Sequence, residues 1–405
     1  MKRSMLAIFI LLTANSFAQT KFISTKGKDI IGVDGKLFYI KGTNLGNWLV
    51  PEGYMFKFKN ANSPRFIQTL INELIGPGGA KIFWKKYLDN YITRDDIHYL
   101  RSTGMNSIRI PFHYKIFTDE EYLGGQGSAR GFALMDRVIS WCKLEGLYVI
   151  LDMHCAPGGQ TGDNIDDSWG TPFLFESEES QQQTINTWTM IANHYRNEPM
   201  VIGYDLLNEP IATYFDSSRY NHYLEPLYKK LTAAIRKVDP NHLLFYGGAQ
   251  WDSNFRIFGK PYDPKAVYTF HKYWTATTKD VIQEYIDFSN KYKVPIYCGE
   301  TGENNNEWIR QFRELLEAEH IGWHYWPYKK MNDASGILSF PKPMYYDSII
   351  QFADTIRSTY QQIRNTRPKN EDQIKTALDG FINNCLLKNC IPNGEYIKAL
   401  GLEEK

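Results

Sequence analysis

Residues 93–111 read TRDDIHYLRSTGMNSIRIP, and this stretch holds one complete structural unit. Thr93 caps a helix that runs through Leu100. Gly104 supplies the left-handed residue that ends it, and residues 106–110 form a short buried strand that Pro111 stops. The same order recurs outward along the chain. Residues 141–145 with Gly146 precede a strand at 147–152, and 195–199 precede one at 201–207. Asp239-Pro240 breaks the chain before 243–247, Asp263-Pro264 before 267–270, and Val294-Pro295 before 296–298. With 37–44 at the start and 321–326 at the end, eight strands alternate with helices.

Strands apolar on both faces and separated by helices imply a parallel sheet, and eight of them imply a closed barrel. The fold class is therefore α/β, a (β/α)8 TIM barrel. An open doubly wound sheet would place a Gly-rich phosphate loop after an early strand, whereas Gly124-Gly125-Gln126-Gly127 follows a charged loop. After Arg367-Pro368 the chain turns polar and then reads as a helix over 371–387. Residues 19–365 are thus the barrel domain and 366–405 a short helical C-terminal appendage.

Lys and Arg number 46 against 45 Asp and Glu, so nothing draws a polyanion to this surface and nucleic acid is excluded as a partner. Lys2 and Arg3, an apolar run over 5–12 and the small-residue site ending at Ala18 have the pattern of a signal peptide, residues 1–18. The run is too short to span a bilayer, and no later segment is long enough. The expected product is secreted or periplasmic, a monomer with no membrane span. Of five cysteines, Cys142, Cys155 and Cys298 fall in core elements. Cys385 and Cys390 are near enough for a local bridge that spacing alone does not decide. No CxxC pair suggests a zinc ribbon.

A barrel builds its active site at the carboxyl ends of its strands, so the residues ending each apolar run belong together. They are Asn44, Arg109, His154, Asn208 with Glu209, Gln250 with Trp251, His271 with Tyr273, Glu300, and Trp326. Glu209 and Glu300 end the fourth and seventh strands, where an unpaired charge is costly. Across the barrel mouth they make the carboxylate pair that glycoside hydrolysis requires. Arg109 and Tyr273 can donate to Glu300 and keep it anionic, as a nucleophile needs. Glu209 is then the protonated partner. Asn208 is placed for a sugar 2-hydroxyl, His154 and His271 orient other hydroxyls and the acid, and Trp326 offers an apolar platform. This chemistry calls for an oligo- or polysaccharide substrate and for no metal or cofactor.

At these positions the sequence resembles glycoside hydrolase family 5, over roughly residues 36–335. Asn208-Glu209-Pro210 matches the family's acid/base motif and Gly299-Glu300 its nucleophile motif. Arg109, His154, His271, Tyr273 and Trp326 match its other positions. This resemblance implies a β-linked oligo- or polysaccharide as substrate. Residues 42–50 (GTNLGNWLV) and 154–160 (HCAPGGQ) are similar to the branch that includes exo-β-1,3-glucanases. That resemblance implies that Glu52 contacts a terminal glucose. Cys155 replaces a Gly common in the branch, the loop 161–170 carries extra Asp residues, and the loop after Trp326 looks short.

Other readings compete. His113, His154 and His271 lie near strand ends and suggest a metal hydrolase, but the His-x-His of such sites is missing. A sugar-binding barrel without activity needs neither an acid nor a nucleophile. Asp163, Asp166 and Asp167 read as a solvated loop rather than a calcium loop, since EF-hand spacing is absent. Trp48, Trp169, Trp251 and Trp274 are candidates for further sugar subsites or for packing under loops.

Overall fold

The computed structural model describes residues 22–403, so the leader expected at residues 1–18 lies outside the described residues. Eight parallel strands close on one another in chain order: β1 Lys41–Asn44, β2 Ser107–His113, β3 Tyr148–Cys155, β4 Val201–Asp205, β5 Leu243–Gly247, β6 Ala266–Tyr273, β7 Ile296–Gly302 and β8 Gly322–Trp326. Helices lie between them, as the sequence grammar requires. In the quoted unit, the helix is Arg94–Ser102, and the Asp96 carboxylate accepts from the Thr93 N–H at 2.7 Å. Gly104 takes φ +100° beyond its end.

Two expectations about this wall are corrected. β2 does not stop at Pro111 but runs to His113. The Arg109 carbonyl accepts from Leu45 N–H, and Pro111, two residues on, faces the same edge. Because β1 ends at Asn44, the missing amide donor of Pro111 breaks no ladder bond. Between β5 and β6 the chain forms only the short turns Ala249–Asp252 and Phe255–Ile257 in place of a long helix.

Inside the barrel Ile40, Ile150, Ile202, Leu243, Phe245, Val267 and Tyr297 pack with Ile23 and Ile30 of an N-terminal hairpin. The larger apolar cluster fills the space between strands and helices. Residues 366–403, expected to be an appendage, share that cluster. Phe381 on helix Glu371–Asn384 stacks on Phe56 with ring centroids 4.8 Å apart. Buried Lys329 pairs with Asp96 at 2.5 Å and donates to the carbonyls of Tyr91 and Cys385. After Trp326, Lys329–Met331 and Leu338–Phe340 form a small sheet with Ile391–Pro392. Cys385 and Cys390 are free thiols. No helix among the described residues is long and apolar enough to cross a membrane.

Candidate active site

Polar residues climb the inner wall in layers. On β3, Ile150, Asp152 and His154 share the inward face, because alternate strand residues point the same way. Ile150 belongs to the apolar plug, Asp152 to a charged layer above it, and His154 to the mouth.

Arg109 is the hub of the charged layer and has no solvent exposure. Its Nε donates to Asp205 at 2.9 Å, Nη1 to Asn44 at 3.0 Å and Glu300 at 2.5 Å, and Nη2 to Asn208 at 2.9 Å. Nη2 also lies 3.0 Å from Asp152 Oδ1, an ion pair at contact distance. Burial opposes the charge, but Asp152, Asp205 and Glu300 together raise the Arg109 pKa well above its ordinary value. A permanent cation sits under the mouth. Burial in turn pushes Asp152 and Asp205 up to about 7, against the pull of Arg109.

Glu300 rests directly on this cation. Its Oε1 accepts from Arg109 and its Oε2 from the Tyr273 hydroxyl at 3.0 Å. A register shift between Phe270 and His271 sets His271 opposite Glu300 rather than Gly299, turning both side chains into the mouth. Gly299 is confined to glycine here. A Cβ would lie 2.6 Å from Thr269 Oγ1 and 2.9 Å from His271 Nε2.

Glu209 has different company. It follows β4 with φ +46°, its N–H donates to Asp252 Oδ2 at 3.0 Å, and its carbonyl accepts from Thr161 Oγ1 at 2.8 Å. Its Oε1 lies 2.9 Å from His271 Nδ1. Burial pushes the Glu209 carboxyl up to about 7, with His154 and Arg109 pulling the other way. Burial also drives His154 down to about 4 and His271 down to about 3, so both imidazoles are neutral near pH 7. Glu209, His271 and Glu300 bring ligand atoms within 4.8 Å of one another, which places the two carboxyl groups in facing contact range.

The rest of the mouth is a cleft of about 620 Å³ lined by Glu52, His154, Glu209, His271, Tyr273, Glu300 and Trp326. Arg109 and Asn208 lie beneath it. His154 Nδ1 lies 2.8 Å from Asp152, Nε2 lies 3.4 Å from Asn208 Nδ2, and its ring is parallel to Trp326 with centroids 5.7 Å apart. Trp326 Nε1 donates to the Tyr54 hydroxyl at 2.6 Å. Glu52 is buried with Oε1 unpaired, and burial together with Glu300, Glu303 and Glu209 raises its pKa well above normal. Lys330 holds Glu303 at 2.8 Å beside it.

The sets Asp152–His154–Glu300 and Glu209–His271–Glu300 have metal-ligand spacing. Arg109 already pairs with Asp152 and Glu300, and supplies the positive charge that an ion would bring. His113 faces Asp167 at 3.3 Å and joins neither set. The Asp loop is not solvated as expected. Asp166 is buried and accepts from the N–H groups of Thr161, Gly162, Asp163 and Ser168, tying the loop together. Trp48 is core, its Nε1 bonded to the Leu88 carbonyl. Trp169 and Trp274 are largely exposed, and Trp251 and Trp274 both line the cleft.

Sequence reasoning missed Asp152, Asp205, Asp252, Tyr54, Glu303 and Lys330. A signal existed for the first two. Each is a lone acid inside a run of buried residues, YVILDMHC and VIGYD, where only a buried partner makes it tolerable.

Comparison with known proteins adds independent findings. A family model described as cellulase (glycosyl hydrolase family 5) matches residues 72–332. A beta-xylosidase of Phanerodontia chrysosporium is 33% identical over 240 residues, 59% of this chain and 48% of that protein. Endoglucanase C of Acetivibrio thermocellus is 28% identical over 314 residues, 62% of this chain and 88% of the relative. A probable glucan 1,3-beta-glucosidase A of Aspergillus fumigatus is 29% identical over 213 residues, 51% of this chain and 49% of the relative. The chain thus spans about half the length of the xylosidase and the glucosidase, and most of the endoglucanase.

Proposed function

This chain belongs to glycoside hydrolase family 5, and from that membership we propose that it is a retaining β-glucan glycosidase with Glu300 as nucleophile and Glu209 as general acid/base. The observation that carries this reading is the contrast between two carboxyls whose oxygens lie within 4.8 Å of each other. Retaining enzymes keep their carboxyl groups about 5–5.5 Å apart, whereas inverting enzymes leave about 6.5–9.5 Å for a water. The close spacing supports the retaining class.

In the first step the Glu300 carboxylate, held by Arg109 and Tyr273, attacks the anomeric carbon while the Glu209 proton passes to the departing oxygen. The glycosyl–Glu300 ester forms and the glycosidic C–O bond breaks. Glu209, now ionised, takes a proton from water, which attacks the same carbon and frees Glu300. Asn208, fixed by Arg109, faces the 2-hydroxyl, and Trp326 carries the ring. Proton NMR of the first-formed product tests the stereochemistry: the β anomer is expected, and the α anomer excludes a double displacement.

For the substrate we propose a β-1,3-linked glucan cut from its end. Glu52, a buried residue that lines the cleft, supports recognition of a terminal sugar, and the likeness to the glucan 1,3-beta-glucosidase agrees. A second reading, internal cleavage of a β-1,4-glucan, draws on the match along 88% of endoglucanase C. Products from laminarin, pustulan, barley glucan, cellulose and mannan separate them. Glucose alone from laminarin supports the first, and a ladder of oligosaccharides from cellulose or barley glucan the second. Export directed by residues 1–18 fits either polymer. Full activity in a chelator is expected of a mechanism that rests on Arg109.

A further inference from the structure

β7 ends in a sharp turn. Gly302 takes φ +132°, where a Cβ would lie 2.5 Å from the Trp326 carbonyl, and Glu303 follows with φ +51°. A residue with a side chain is strained in that region and persists there only where surrounding contacts enforce it. Here the contacts are identifiable. The Glu303 carbonyl accepts from Trp274 Nε1 at 3.1 Å, and the side chain, 17% exposed, lines the cleft.

Lys330 fixes the Glu303 carboxylate. Its Nζ lies 2.8 Å from Glu303 Oε1, 2.8 Å from Ser335 Oγ and 3.1 Å from Asp333 Oδ2, so its protons are all engaged and none is left for a ligand. The Tyr54 hydroxyl also approaches Oε1, at 3.5 Å. Oε2 has no hydrogen-bond partner among the described residues, which leaves one free acceptor on the cleft wall that also holds Glu52.

Both braces of this wall come from the C-terminal segment, outside the family match at residues 72–332. Lys330 stands opposite Ser339 in the small sheet and Ser339 opposite Ile391, while Asn393 Nδ2 donates to the Gly336 carbonyl at 2.7 Å. Phe381 stacks on Phe56, in the turn Gly53–Phe56 that carries Tyr54.

A pyranose whose anomeric carbon faces Glu300 and whose 2-hydroxyl faces Asn208 turns its opposite edge, with the 4-hydroxyl and the 6-hydroxymethyl group, away from both. On the Trp326 platform that edge meets Glu52, Tyr54 and Glu303, because the Tyr54 hydroxyl takes the Trp326 N–H at 2.6 Å. Burial, with Glu300, Glu303 and Glu209, raises the Glu52 pKa well above normal, so Glu52 offers a proton where Glu303 offers an acceptor. We propose that Glu303 is a specificity-determining residue whose Oε2 accepts from the 4- or 6-hydroxyl of the terminal glucosyl unit, with Lys330 as its positioning residue. The C-terminal segment is thereby part of sugar recognition. The proposal rests on Glu300 as nucleophile.

The test compares sugars on the full-length enzyme: 2,4-dinitrophenyl β-D-glucoside and its 4-deoxy and 6-deoxy analogues. Glu303→Ala should lower kcat/KM on the glucoside about 10- to 100-fold, the range of a hydrogen bond to a charged group. On the analogue that lacks the bonded hydroxyl the loss should be about threefold or less, since that bond is already gone. Glu303→Gln keeps a neutral acceptor and should lose about 3- to 10-fold on the glucoside with the same dependence on the sugar. Lys330→Met should show that dependence too, because the carboxylate loses its anchor. Equal losses on all three substrates, or no loss on the glucoside, overturn the proposal, and the glutamine variant decides alone where the alanine variant does not fold. A wild-type enzyme inert toward the glucoside also overturns it, since the wall then faces no terminal glucosyl unit. Trapping with a 2-fluoro sugar judges Glu300 separately. A label on another residue defeats the nucleophile reading whichever way the deoxy series falls.

Discussion

Glu209 and Glu300 are the same residue at the same height in one barrel, 12% and 6% exposed in their side chains, yet their neighbours divide their chemistry. The end of β7 offers Glu300 a guanidinium and a phenol, both donors at any working pH. The end of β4 offers Glu209 a neutral imidazole, a backbone tied to Asp252, and little else against the cost of burial. Burial is common to both, so it does not separate them. Arg109 does, because its cation pairs directly with only one of the two. A charge held in a low-dielectric site counts for much more than the same charge in water.

The contrast can be broken most severely at Glu300. Glu300→Ala should lower turnover on the order of 10⁴-fold or more while circular dichroism and melting stay close to wild type. Residual activity within tenfold of wild type moves the nucleophile elsewhere. Glu209→Ala should cost about 10²–10⁴-fold on laminarin and far less on 2,4-dinitrophenyl β-D-glucoside, whose leaving group needs no proton. Azide should restore turnover to that variant as glucosyl azide.

A milder probe is pH. As the proposed acid, Glu209 must carry its proton, and burial pushes its pKa up to about 7, so kcat/KM should fall as pH rises through about 7. An alkaline limb near pH 5 would place the proton on another group. The smallest effect concerns stability. A carboxyl whose folded pKa is raised favours the fold while protonated, so its contribution is full below the unfolded value near 4.3 and is lost as pH rises through about 7. Glu209→Gln removes that loss. It should melt about 2 °C or more above wild type at pH 8 and level with it at pH 4. Equal differences at both values would mean that Glu209 is not buried as a charge.

The barrel was legible because its signal is repeated: apolar runs, turn residues and helices recur often enough that single errors do not matter. Pro111 was such an error, since chain order cannot say that β1 has already ended beside it. Glu209, Glu300 and their neighbours were legible as the polar residues that follow each run. Asp152 and Asp205 were hidden inside runs, where an acid reads as a strand residue until Arg109 is placed between them. Asp252 was hidden differently. Trp251 and Asp252 are adjacent in the chain, and only the left-handed turn sends one outward and the other beneath the acid. The C-terminal segment carried too few apolar residues in view to announce that Phe381 would stack in the main core.

The division of labour between Glu300 and Glu209 is tested most directly by trapping the covalent intermediate. Incubation with 2,4-dinitrophenyl 2-deoxy-2-fluoro-β-D-glucoside, followed by proteolysis and tandem mass spectrometry, should find one fluoroglucosyl group, on the peptide that contains Glu300 and on that residue. A label on Glu209, or turnover of natural substrate to the α anomer with no covalent species, would contradict the account.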